Sequence, residues 1–270
     1  GLSVAPYEVL ETRDDVARIT HYGVAETHLD PFSVPLIMKT CRNGYDGKGQ
    51  QTVKQLSNIS DHWNELGNVP CVVEQKIALD AEFSVIISRS EQGQIALFAP
   101  TQNVHLNGVL DVSTAPSQLD SQMLDQGKSA ATKIAEKLDY VGVLAVEFFV
   151  SDNRLFVNEL APRPHNSGHW TIDAARTSQF EQQVRALVGE PLGDPSMTCS
   201  AVAMVNLLGD RWANGEPLFA LADTDSCAHL HLYGKKDARA GRKMGHLTVT
   251  GDHVEAATNS AISLRNAITR

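Results

Sequence analysis

The run Val141-Gly142-Val143-Leu144-Ala145-Val146-Glu147-Phe148-Phe149-Val150 carries a single charged residue in ten. Its β-branched and aromatic side chains read as a strand. The turn composition of Ser151-Asp152-Asn153-Arg154, followed by Leu155 to Leu160, makes it the first arm of a hairpin. An uncompensated polar group inside such a strand costs ~2–7 kcal/mol even when neutral, so Glu147 needs a partner. Glu159 lies on the returning strand, and the two carboxylates face each other if the loop is centred on Asn153. A three-residue loop, Asp152-Asn153-Arg154, with Asn153 left-handed, meets that condition, whereas a two-residue loop puts the glutamates on opposite faces. Facing carboxylates with no His or Cys partner in the hairpin suit Mg²⁺, a hard ion that bridges to phosphates. The plain alternative is a core lysine or arginine paired with Glu147.

The chain has 270 residues, a length that predicts about two domains at ~150 residues each. Mixed helix and strand patterns run to about residue 190. Pro191-Leu192-Gly193-Asp194-Pro195 then reads as a linker, and short alternating strands such as Ala228 to Tyr233 predict a small β-rich domain over 191–270. Earlier elements are a helix from Thr12, with Asp15 at N3 and Gly23 as its stop, and a strand over Pro35–Lys39. A short capped helix over Ser60–Gly67 and a strand at Cys71–Glu74 follow. A hairpin pairs Glu82–Ser88 with Gln94–Phe98. Longer helices are expected over Ser117–Leu138 and from Thr171 to about Leu187, the latter ending at Gly189.

Lys and Arg number 23 against 32 Asp and Glu, a net charge of −9 that argues against nucleic-acid and anionic-membrane partners. The ten-residue apolar run is half the ~20 residues a membrane-spanning helix needs. The N-terminus shows neither a signal-peptide pattern nor an initiator Met. Cys41, Cys71, Cys199 and Cys227 lie far apart and are expected to be buried, reduced thiols of a cytoplasmic protein.

Four further segments carry chemistry. Arg42-Asn43-Gly44-Tyr45-Asp46-Gly47-Lys48-Gly49-Gln50 has the closely spaced Gly44, Gly47 and Gly49 that let backbone N–H groups approach phosphates, yet it is neither a Walker A nor a Rossmann loop. It reads as a hairpin lid or, at its plainest, a Gly-rich turn. Lys39 ends an apolar strand just before it and calls for an anionic partner such as a phosphate. Glu74-Gln75 and then Glu82 supply a strand end and a second carboxylate suited to an adenine edge and a ribose diol. In Ala161-Pro162-Arg163-Pro164-His165-Asn166-Ser167-Gly168-His169, two prolines stiffen the backbone around Arg163, whose guanidinium fits a carboxylate, bicarbonate or phosphate. His165 can move a proton or donate a hydrogen bond, while His169 reads as structural. Lys235 to Lys243 packs five cations into nine residues, including Arg242, and reads as a phosphate-binding turn or a solvated loop.

Together these segments resemble the ATP-grasp enzymes, and within them the N5-carboxyaminoimidazole ribonucleotide synthase family. The resemblance spans nearly the whole chain and is most specific over Asn158-Glu159-Leu160-Ala161-Pro162-Arg163-Pro164-His165-Asn166-Ser167-Gly168-His169. The related formate-dependent transformylases look similar there but depart after the Pro-Arg-Pro-His element. The resemblance implies an α+β ATP-grasp fold, two subdomains sandwiching ATP over residues 1–190, followed by the small C-terminal domain. It implies ATP-dependent activation of bicarbonate to carboxyphosphate, which carboxylates 5-aminoimidazole ribonucleotide in purine synthesis. Lys39 would hold ATP phosphates, Glu74 and Gln75 the adenine, and Glu82 the ribose, with Asn158 beside the nucleotide. Glu147 and Glu159 would bind Mg²⁺, and Arg163 would orient bicarbonate. His165 would assist at the acceptor amine, and Tyr45, Asp46 and Lys48 would close over the site. Lys235, Arg242 and Lys243 would meet phosphates. A homodimer is likewise implied. The family begins with a Rossmann-like domain, so the chain is expected to be a fragment or truncated homologue. The rival readings are a ligase or transferase using another carboxylate such as formate, and an ATP-binding module without full activity.

Overall fold

The structure, a computed structural model, describes residues 1–22, 35–42, 44, 49–213 and 215–268. It comprises two compact units, Gly1–Leu79 with Asn107–Val109, and Asp80–Leu106 with Leu110–Arg270.

The first unit is a four-stranded antiparallel sheet in the order β1-β4-β2-β3, from β1 (Tyr7–Leu10), β2 (Leu36–Thr40), β3 (Gln50–Val53) and β4 (Cys71–Gln75), with helices α1 (Arg13–Tyr22) and α2 (Ile59–Glu65). Alternation along β2 buries Leu36 and Met38 against Ile19, Trp63 and Val73 and leaves Lys39 half-exposed. α1 begins as expected. Thr12 Oγ1 accepts the Asp15 N–H and Asp15 accepts the Thr12 N–H, a reciprocal box in which Asp replaces the usual Glu. α2 differs from the expected capped helix. It grows out of a 3-10 turn over Leu56–Asn58 and has no side-chain cap, because that turn already feeds its first N–H groups.

The second unit is built on a nine-stranded sheet. Its strands are β5 (Ala81–Arg89), β6 (Ile95–Leu97), β7 (Thr101–Leu106), β8 (Val109–Ala115), β9 (Gly142–Ser151), β10 (Arg154–Ala161), β11 (Ala201–Leu208), β12 (Ala228–Leu232) and β13 (Lys243–Gly251). They run in the order β10-β9-β5-β7-β8-β11-β13-β12, with β6 also on β5. The helices are α3 (Ser121–Lys137), α4 (Thr171–Ala174), α5 (Gln179–Val188) and α6 (Val254–Ile268). On one face Phe83, Val85, Leu144 and Phe148 pack under Ala130 and Ala131 of α3. Further along the sheet, Val205 and Leu247 pack under Ala257 and Ala261 of α6. On the other face Ile86, Val143 and Ala145 meet Phe98, Trp170 and Met204. Side chains alternate between faces, so Glu82, Ser84 and Glu147 share this second face.

Several expectations need correction. α3 starts at Ser121 rather than Ser117, because the Asp120 side chain captures the N–H groups of Gln122 and Met123. The helix expected from Thr171 to Leu187 is two helices. The chain turns extended at Ala175, which bridges to Met197, and restarts where Ser178 caps Glu181; Gly189 then ends α5 as expected. Of the four cysteines, all free, only Cys71 is buried, while Cys41 and Cys227 are exposed. Past residue 190 the chain stays within the second unit, where β11, β13 and β12 extend the sheet from β8 and α6 adds fifteen helical residues. No helix among the described residues is long and apolar enough to cross a membrane.

Candidate active site

The β9–β10 hairpin does not turn as expected. Arg154 pairs with Ser151, so the loop is the two-residue Asp152-Asn153, with both φ values positive at 48° and 55°, the signature of a primed turn. That register alone would put Glu159 on the wrong face. A β-bulge corrects it: the ladder runs to Val157 opposite Phe148, skips Asn158, and resumes with Glu159 opposite Glu147. The bulge thus sets both Asn158 and Glu159 against one residue. Asn158 Nδ2 lies 3.4 Å from Glu147 Oε2 and His165 Nε2 lies 3.4 Å from Glu147 Oε1. No lysine or arginine among the described residues pairs with Glu147. Its carboxyl is pushed above the ordinary range by burial, and by Glu159 and Glu82 against the opposing pull of His105. A buried carboxylate held only by long contacts, with a second carboxylate and a carboxamide beside it, is an oxygen-donor set that fits a hard divalent cation.

The neighbouring strand, β5, supplies Glu82, whose Oε2 sits 2.9 Å from His105 Nδ1 on β7 as a charge contact. Burial pulls the His105 imidazolium down, but the Glu82 carboxylate outweighs it and the net shift is upward. Ser84, directly opposite Glu147 on β5, donates to Ser167 Oγ at 2.7 Å. Asn103 and Ser113 extend this buried polar row across β7 and β8.

The segment after β10 is held by amides. Gln179, fully buried on α5, accepts the His165 N–H at 2.9 Å and donates to the His165 carbonyl at 2.7 Å, pinning both backbone groups of one residue. Its nitrogen also lies 3.1 Å from His169 Nδ1. A Cβ on Gly168 would come within 2.7 Å of Gln179 Oε1, so only glycine admits this clamp. Asn166 and Asn206 exchange two amide hydrogen bonds, at 3.0 and 2.7 Å, joining the segment to β11. His165 Nδ1 sits 2.9 Å from Ser167 Oγ. Burial, then the charges of Arg163 and Lys243, lower its pKa to about 3, so the imidazole is neutral in this arrangement. Arg163 is exposed, and its guanidinium donates to the Pro164 carbonyl.

The sequence-derived residues divide as follows. Glu82, Glu147, Asn158, Glu159, Arg163 and His165 converge on one face of the second unit's sheet. Lys243 lies near enough to depress the imidazoles of His165 and His169. Lys235 and Arg242 are engaged within their own turn: Lys235 Nζ donates to the Lys243 carbonyl at 2.6 Å and Arg242 to the Asp237 carbonyl at 2.9 Å. In the first unit, Lys39 has Glu74 as its anionic partner at 2.6 Å, and the Gln75 N–H donates to the Pro6 carbonyl. Gly49, with φ of 74°, closes the glycine-rich loop against Thr40, beside Gly44. Tyr45, Asp46, Gly47 and Lys48 lie outside the described residues, as does Gly23. His105 and Gln179 are absent from the sequence-derived set. For Gln179 the readable signal is its place just after the Ser178 cap, whose hydroxyl accepts the Glu181 N–H; for His105 none exists in the sequence alone.

Comparisons with known proteins agree with this geometry. The ATP-grasp domain model matches residues 1–180, and the phosphoribosylaminoimidazole carboxylase C-terminal domain model matches residues 202–260. The chain is 40% identical over 276 residues to N5-carboxyaminoimidazole ribonucleotide synthase of Vibrio vulnificus, covering 99% of this chain and 68% of that protein. Its counterpart in Bacillus subtilis is 41% identical over 249 residues, covering 92% and 62%. Among solved structures, the ADP complex of an N5-carboxyaminoimidazole ribonucleotide synthetase superposes with a TM-score of 0.86 at 35% identity, covering 98% of this chain and 67% of that one. The Aspergillus clavatus synthase in complex with ADP and 5-aminoimidazole ribonucleotide superposes with a TM-score of 0.83 at 25% identity, covering 100% and 70%. The chain spans about two thirds of the length of these relatives. With two family models matched along one chain and this identity to full relatives, the chain belongs to the N5-carboxyaminoimidazole ribonucleotide synthase family of ATP-grasp proteins.

Proposed function

We propose that the chain carries out the ATP- and bicarbonate-dependent carboxylation of 5-aminoimidazole ribonucleotide, a ligase reaction of purine biosynthesis. The observation that supports this reading most directly is the bulged hairpin, which sets Glu147, Glu159 and Asn158 together beside His165. Bicarbonate oxygen attacks the γ-phosphorus of ATP, releasing ADP and forming carboxyphosphate; its carboxyl carbon then passes to the exocyclic amine, with loss of phosphate. Bound Mg²⁺ would neutralise phosphate charge, held by Glu147 and Glu159. Lys39 positions phosphates, Glu74 and Gln75 the adenine, and Glu82 the ribose. Arg163, stiffened between two prolines and with its guanidinium donating only to the Pro164 carbonyl among the described residues, presents a two-pronged contact to bicarbonate or carboxyphosphate. His165, neutral and pinned through its backbone by Gln179, offers a ring nitrogen to the acceptor amine as the amine sheds its proton. Lys243, with Lys235 and Arg242 on the same turn, supplies positive charge for phosphate groups. By family likeness the enzyme works as a cytoplasmic homodimer.

The test is ADP release by the chain with Mg·ATP and bicarbonate, with and without 5-aminoimidazole ribonucleotide. Stimulation by the ribonucleotide is expected, with carbamate product formed in step with ADP. ADP release driven equally well by formate would overturn the assignment of the carboxylate.

A further inference from the structure

A second cluster lies on the same sheet, away from the Glu147–Glu159 hairpin. His231 on β12 and His246 on β13 stand directly opposite each other. Their rings stack with centroids 4.6 Å apart and planes 16° from parallel. Asp173, on α4, brings its Oδ2 to 2.9 Å from His231 Nε2. One ligand atom from each of the three residues lies within 4.8 Å of the others. His246 is only 1% exposed, and its Nε2 has no hydrogen-bond partner among the described residues. A buried ring nitrogen left without a partner costs free energy in either tautomer. Its other nitrogen, Nδ1, sits 2.8 Å from Tyr233 Oη. With the proton on Nδ1 and directed at that oxygen, Nε2 keeps a lone pair that no protein group uses among the described residues.

We infer that Asp173, His231 and His246 form a binding site for a divalent transition metal of the Zn²⁺ class, with Tyr233 orienting the His246 ring. Two imidazoles and one carboxylate select a borderline ion over Mg²⁺, which prefers an all-oxygen set. Side-chain rotations that tilt the two stacked rings toward a common point would give the ~2.0–2.2 Å bonds that Zn²⁺ makes, leaving a fourth position for water. The hydrogen bond between His231 and Asp173 is exchanged for two coordinate bonds, and the His231 ring tautomerises through solvent, its proton leaving Nε2 for Nδ1. The unpartnered Nε2 of buried His246 can coordinate an ion without giving up a hydrogen bond within the protein. The ion would tie α4 to the last two strands of the sheet. This site is independent of the carboxylation reading, since none of its ligands belongs to the Mg²⁺ pair.

The experiment uses the full chain, stripped of metal with a chelator and held in excess Mg²⁺ without nucleotide. Co²⁺ is titrated while its visible absorption is followed, and Zn²⁺ is then added to displace it. One Co²⁺ per chain is expected, with Zn²⁺ competing at the same stoichiometry. His231→Gln is expected to weaken binding by about a hundredfold or more, and Tyr233→Phe by about tenfold, the scale of a lost orienting contact. His229→Gln should leave affinity unchanged, although His229 Nδ1 lies 4.0 Å from Asp173. Absence of stoichiometric binding overturns the site, as does binding that survives His231→Gln and Tyr233→Phe undiminished. Should His246→Gln fail to fold, the other two variants still decide the matter.

Discussion

Glu159 stands opposite Glu147 because its strand carries one residue more than the pairing needs. The turn at Asp152-Asn153 sets one register and the bulge at Asn158 shifts it by one before the second glutamate is reached. The alignment of the two carboxylates, on which the proposed metal site depends, is therefore set by turn and bulge together. Asn158 serves twice, as the inserted residue and as a contact to Glu147.

Replacing Glu159 with Gln removes a charge at almost constant volume on an exposed position. Mg·ATP-dependent ADP release is expected to fall by two orders of magnitude or more, in keeping with the several kcal/mol a metal clamp contributes. Stability should stay within about 0.5 kcal/mol of the parent, as for other surface changes. Steady-state ADP release and a urea melt check the two halves; full turnover in the variant would remove Glu159 from the metal site.

Gln179→Leu leaves the His165 N–H and carbonyl without their partners inside the protein. The expected cost is about 1–3 kcal/mol of stability for the orphaned groups. A fall in kcat of about tenfold should accompany it as His165 loses its fixed position. Gly168→Ala should act in the same direction by crowding the Gln179 amide. A kcat loss without a matching rise in KM for Mg·ATP identifies the clamp as positioning His165 rather than nucleotide.

Arg163 donates only to the Pro164 carbonyl among the described residues, so the fold does not depend on it. Arg163→Lys keeps the charge but cannot reproduce a forked contact. Carboxylation should drop at least about tenfold while thermal unfolding stays unchanged. Wild-type kinetics with bicarbonate would sink the role.

The thiols should react in two classes. Burial pushes Cys71 up to about 11 and raises Cys199 as well. A raised pKa means both stay protonated at pH 8, and the thiolate is the reactive form. Cys41 and Cys227 are exposed. Two thiols per chain are expected to react promptly with an aromatic disulfide reagent, and two more only after unfolding. Prompt reaction of Cys71 would contradict its burial.

Where the signal is local, the sequence itself carries it. The Thr12–Asp15 box, the hairpin around Glu91-Gln92-Gly93 and the glutamate pair all follow from residues within a dozen positions of each other. The β7–β8 hairpin was equally readable in Asn107-Gly108, both with positive φ, and escaped because its flanking strands mix polar residues among the apolar ones. α6 hides its stripe in small residues, Ala257 and Ala261, whose periodicity carries little hydrophobic weight. The bulge could not be read, since nothing in Val157-Asn158-Glu159 announces an extra residue. The pairing of Lys39 with Glu74 and of His105 with Glu82 depends on which strands become neighbours, and that is decided by the whole sheet.

The seam between the two matched family segments is a strand pairing: Val202 to Val205 on β11 lie against Ala115 to Val112 on β8. Main-chain hydrogen bonds do not read side chains, so the sequence there is restricted by packing on the two faces, as of Met204 with Ala115 and Trp170. A change of length matters more, because one inserted residue that no bulge absorbs would invert every side chain beyond it. Asn206 would then turn away from Asn166, and the segment carrying Arg163 and His165 would lose its tether. Exchange of C-terminal segments between relatives thus depends on residue count as well as on the fit of the packed faces.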